Sequence, residues 1–96
     1  MKDLAALSSA DFEPLIGQDI MVHGAPLTVV AVDVHAPIPG FDRTPFSVIL
    51  KGDALESGSG FSDVVAVHHD TIGEHQLLVN RIIEPNQTPH FEIVLA

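Results

Sequence analysis

The 96-residue chain contains no cysteine, tryptophan or tyrosine, and only 4 Lys plus Arg against 13 Asp plus Glu. Each shortage excludes something. Without cysteine there is no disulfide framework, no thiolate nucleophile and no Cys-ligated zinc or iron–sulfur site. With five phenylalanines as the only aromatics, no Tyr or Trp platform exists on which sugars or bases could stack. The formal charge of −9 at pH 7 argues against nucleic-acid partners, whose phosphates are bound by Lys and Arg. It argues equally against anionic membrane surfaces. No apolar run approaches the 20 or so residues of a membrane-spanning helix. The stretch Leu4 to Leu7 is also shorter than the roughly 7–15 apolar residues of a secretory signal. The expected location is the cytoplasm.

What is present is apolar for so small and acidic a chain: 46% of residues are hydrophobic and the mean hydropathy is +0.31. A chain of this length builds one core, so a single domain over residues 1–96 is expected. Ser8 to Ile16 reads as a short helix. Ser8 or Ser9 caps it, Asp11 and Glu13 occupy its first turn, and Phe12, Leu15 and Ile16 form the buried stripe. Pro14 limits its length and Gly17 ends it.

From residue 18 to 95 the pattern is β. Asp19 to His23 and Leu27 to His35 flank a turn at Gly24-Ala25-Pro26. Phe46 to Gly52, Asp63 to His69, Glu74 to Ile83 and His90 to Leu95 follow, divided by turn residues. Six short strands after one helix predict a mainly antiparallel all-β fold, a small six-stranded barrel or sandwich. Val29-Val30-Ala31-Val32, Val48-Ile49-Leu50, Leu77-Leu78-Val79 and Ile93-Val94-Leu95 are apolar at successive positions, which a sheet with one wet face would not be. Something must cover part of the outer face. The helix, the loops or another subunit are the choices.

Phe12-Glu13-Pro14-Leu15-Ile16-Gly17, Pro45-Phe46-Ser47-Val48-Ile49-Leu50-Lys51-Gly52, His69-Asp70-Thr71-Ile72-Gly73 and Phe91-Glu92-Ile93-Val94-Leu95 occur in this order. The series resembles a small bacterial all-β family of unknown function, often encoded beside phage-tail-like fibre or collar proteins. The resemblance implies a structural or assembly role, possible residence in a tail-like particle, and no catalytic residues.

The six histidines are the one feature that could seed a site. If the loop joining the fourth and fifth strands has an even number of residues, His68 lies opposite His75 and His69 opposite Glu74. Facing side chains of this kind stand roughly 4.5–5.5 Å apart at Cβ. His68 and His75 could then share a divalent ion with Asp70 or Asp63 as third ligand, which makes a metal- or small-ligand-binding protein the alternative function. His69 with Glu74 could act as a base, but no pocket or substrate group accompanies them. Ser57-Gly58-Ser59-Gly60 lacks the strand-to-helix elbow of a serine nucleophile and the lysine of a phosphate loop. No enzyme activity and no cofactor are expected. The leading expectation is an assembly domain, a homo-oligomer or the binder of another protein. It would use strand faces or edges, with Ile38, Phe41 and Phe61 as anchors.

Overall fold

The computed structural model describes residues 7–36, 39–40, 45–52, 62–82 and 89–95. Helix α1 spans Ser9–Phe12 and passes into a 3-10 turn over Glu13–Leu15. Ser8 is the extended residue before it. The Asp11 carboxylate accepts the Ser8 backbone N–H at 2.8 Å, half of the reciprocal exchange that closes a helix start. The helix is shorter than the Ser8-to-Ile16 segment expected from sequence. Pro14 sits within the 3-10 turn, where its missing N–H and fixed φ are tolerated and a longer α-helix is not. Consequently Phe12 and Leu15 are buried, whereas Ile16, assigned from sequence to the same stripe, is extended and 47% exposed. Gly17 N–H then bonds to the Val29 carbonyl at 2.8 Å, and Val29 N–H to the Gln18 carbonyl at 2.9 Å.

The strands are β1 Asp19–Val22, β2 Ala25–Val34, β3 Phe46–Lys51, β4 Ser62–His69, β5 Gly73–Ile82 and β6 His90–Leu95. They pair only antiparallel, in the closed order β1-β2-β3-β6-β5-β4. Of the barrel and sandwich alternatives, the barrel forms. Closure removes the free strand edges that an open sheet would offer, so contact through an edge, one of the two expected modes, loses its basis and contact through faces remains. The β1–β2 hairpin turns at His23-Gly24, with Val22 opposite Ala25 and φ of 51° and 83° at the two turn residues. Two left-handed residues match the twist of flanking strands. The turn therefore falls one residue earlier than Gly24-Ala25-Pro26, and Ala25 and Pro26 belong to β2.

Between Val29, opposite Leu50, and Ala31, opposite Ile49, β2 carries one extra residue, Val30. This bulge reverses which alternate residues point inward. Leu27 and Val29 face the core before it; Val32 packs against the core after it. Elsewhere alternation is regular, with Val48 and Leu50, Val65 and Val67, Leu77 and Val79, and Phe91, Ile93 and Leu95 buried. Phe12 meets Phe46 with ring centroids 5.8 Å apart and tilted by 49°, so α1 is anchored on the barrel through the phenylalanine that begins β3. Phe12, assigned from sequence to the buried stripe, is core, and so are Phe46 and Phe91. No helix among the described residues is long and apolar enough to cross a membrane.

Candidate functional site

The turn between β4 and β5 holds three residues, Asp70, Thr71 and Ile72, and this odd number moves the register by one from the even-loop expectation. His68 lies opposite Glu74, Val67 opposite His75 and His69 opposite Gly73. Opposed residues share a face of a sheet and neighbours along a strand alternate. His68 therefore points outward and is exposed. His75 points inward beside the fully buried Val67. The expected His68–His75 opposition is not formed, nor is that of His69 with Glu74.

Each inward histidine is used by the turn itself. His75 Nε2 lies 2.7 Å from the Ile72 carbonyl oxygen; a carbonyl only accepts, so the Nε2 proton is donated. His69 Nδ1 accepts the Thr71 N–H at 3.0 Å, which in the neutral ring leaves the proton on Nε2. Ile72 tucks fully inside and Gly73 takes φ 78°. The cap on the turn comes from the His69 ring. Asp70 is exposed, and the Asp63 carboxylate accepts the N–H of its neighbour Val64 at 2.8 Å. Among the described residues no group of three or more potential ligands is gathered.

A pair that sequence reading missed joins His35, the residue after β2, to Ser47 on β3. Ser47 is 1% exposed, and its Oγ is 2.8 Å from His35 Nε2. A serine hydroxyl within reach of an imidazole is the beginning of a nucleophile–base pair. Burial of Ser47 leaves no approach for a substrate carbonyl. The contact instead satisfies a hydroxyl that would be costly to bury alone. Its one sequence signal is a serine inside the apolar run Phe46 to Leu50, and locating its partner requires the β2–β3 register.

On the outer face of β4, β5 and β6 three apolar side chains stand in a row. Val64 lies directly opposite Leu78, and the β5–β6 register, with Val79 opposite Ile93, brings Val94 beside Leu78 on the other side. Their exposures are 55%, 42% and 42%. Ala66 and Gln76 flank the row on one side; Ser62, Asn80 and Glu92 flank it on the other. Ser62 Oγ donates to Asn80 Oδ1 at 2.6 Å. Leu78 and Val94 come from two of the segments whose continuous apolarity pointed to a covered face. By contrast Val30, Ala31 and Ile49 are half-buried. The sequence-derived anchors Ile38, Phe41 and Phe61 lie outside the described residues, as does the Ser57–Gly60 stretch.

Residues 7–95 match the model of a family described as Domain of unknown function (DUF6916). Neither the curated proteins nor the solved structures gave a match.

Proposed function

We propose that this chain, which belongs to the DUF6916 family of domains of unknown function, is a non-enzymatic assembly domain that binds another protein surface through the outer face of β4, β5 and β6. The Val64–Leu78–Val94 row carries the reading. Three adjacent side chains left roughly half exposed form an apolar strip on a chain of net charge −9, and of the five described residues flanking it along these strands only Glu92 is charged. A continuous strip differs from the scattered apolar residues normal on any surface. Completing the burial of half-exposed Val and Leu side chains contributes roughly 1 kcal/mol each. A contact resting on this strip is consequently modest and concentration-dependent. Accessory service in a phage-tail-like structure, implied by the motif resemblance, is one setting in which many such contacts act together.

The test compares wild type with Leu78→Glu, in sedimentation velocity up to roughly 1 mM, the regime of a 4 kcal/mol contact, and in retention of proteins from the source cells on immobilised barrel. The proposal expects association or retention by wild type that the variant loses. A wild type that stays monomeric throughout and retains the same proteins as Leu78→Glu would refute it.

A further inference from the structure

Resting on the reading that this region binds another protein, we infer that the partner contributes an extended, basic segment, which adds as a further strand to the open edge of β4 over Ser62–Val65. Closure takes away the strand edges of an open sheet with one exception, and the exception lies here. β4 pairs with β5 along its whole length, Ser62 to His69, but with β1 only at His68 and Val67. The chain turns back at His23-Gly24, so β1 stops beside the middle of β4. Among the described residues no strand stands against Ser62–Val65 on that side.

The ladder decides which peptide groups point there. In an antiparallel pair, alternate residues direct their N–H and C=O to the same side. The Ala66 carbonyl accepts the His23 N–H at 2.8 Å, on the β1 side; Val64 and Ser62, in the same alternation, turn their peptide groups the same way. The Val64 N–H agrees, being held by the Asp63 carboxylate at 2.8 Å rather than by β5. Ser62, Asp63 and Val64 are all exposed. Such an edge is satisfied by water or by another extended backbone, and strand addition is the recognition mode that uses it. A segment in that place runs in line with β1, antiparallel to β4. Its side chain opposite Val64 lengthens the Val64–Leu78–Val94 row by one strand, so edge and face form one surface.

Asp63 sets the chemistry of the segment. Its carboxylate occupies the Val64 N–H, and an incoming carbonyl must displace it. The freed charge is accommodated when a Lys or Arg of the segment lies beside it and is penalised when a carboxylate does. The β4 edge of a second copy, paired about a two-fold axis, would bring two Asp63 carboxylates into opposed or diagonal positions on chains of net charge −9. The edge therefore favours basic segments over copies of itself. With an apolar residue opposite Val64 and a basic one beside Asp63, the segment alternates the two types.

The test titrates acetylated, amidated hexapeptides that alternate valine with lysine, threonine or glutamate into the 15N-labelled chain. Titration runs to about 5 mM, because a few edge hydrogen bonds support a dissociation constant of order 1 mM. The lysine peptide should shift the amide signals of Ser62–Ala66 and bind roughly threefold tighter than the threonine peptide at low salt, an advantage that Asp63→Asn removes. The glutamate peptide should shift none of them. In this pairing the valine nitrogens face β4 and the lysine nitrogens face away, so N-methylation of the valines should abolish binding and N-methylation of the lysines should leave it. Equal binding by the two methylated forms, shifts without a cluster at Ser62–Ala66, or no shift with any peptide would overturn strand addition. If strand addition fails while Leu78→Glu loses a protein that wild type retains, the face stands with another mode of contact; if that retention is also unchanged, the reading beneath the inference falls with it.

Discussion

Gly52 follows the last residue of β3, with φ 153°, and its N–H bonds to the Pro89 carbonyl at 3.0 Å. A Cβ placed there would lie 2.8 Å from Leu27 Cδ2 and 3.5 Å from the Pro26 carbonyl oxygen. Leu27 is 1% exposed, so its methyl cannot retreat without displacing core neighbours. Gly52→Ala therefore combines backbone strain of about 1–3 kcal/mol in a region populated almost only by glycine with crowding of similar size. We expect a loss of about 3 kcal/mol or more, a large part of the 5–15 kcal/mol that stabilises such domains. At this chain length that lowers Tm by roughly 12–24 °C. Gly24→Ala is the control: Gly24 has φ 83° and nothing within 4 Å of the added carbon, so only the left-handed backbone term of about 1–2 kcal/mol applies. With no Trp or Tyr to fluoresce, urea and thermal melts are followed by far-UV circular dichroism. Equal melting of the two variants would show that the approach to Leu27 carries no energetic weight, and the close contact between the end of β3 and β2 would lose its support.

Two further expectations follow from the packing and the charge. Phe46→Ala removes the ring that joins α1 to the barrel and should cost about 3–5 kcal/mol, whereas Ile16→Ser, at a site half exposed, should stay within about 0.5 kcal/mol; a comparable loss in both, by urea melts, would contradict the short helix. Raising the salt concentration from about 0.01 M to about 0.15 M shortens the screening length from about 30 Å to about 8 Å and weakens the repulsion between chains of net charge −9. Self-association through the β4–β5–β6 face should strengthen as repulsion falls, and an unchanged sedimenting mass across that interval would show that charge does not limit assembly.

Strand number, antiparallel pairing and the burial of Phe12 were legible in the sequence because alternation and turn residues act locally. What escaped was phase. The length of the Asp70–Ile72 turn decides whether His75 faces His68 or Val67, and a three-residue loop leaves no signature distinguishing it from a two- or four-residue one when His69 supplies the cap. The Val30 bulge had the same effect on β2, making a strand that switches its inward set look apolar on both faces. The β5 and β6 runs were read correctly as two-sided: Leu78 and Val94 do point outward. Their alignment with Val64 depends on the pairing of three strands, and His35–Ser47 on that of two. Neither pairing is encoded near the residues themselves.

The seam that completes the barrel is short. Met21 opposite His68 and Val22 opposite Val67 are the pairs joining β1 to β4, with the His23 N–H reaching the Ala66 carbonyl at 2.8 Å beyond them. These residues stand almost half the chain apart, whereas the β1–β2 and β4–β5 hairpins close over two and three residues. Loop entropy is thus met late and by few hydrogen bonds. The cylinder behaves as a curled sheet held by a clasp, and amides at the clasp should exchange with solvent before those at the β3–β6 junction. A partner lying across β4 would sit beside that clasp, so assembly and completion of the fold can reinforce each other.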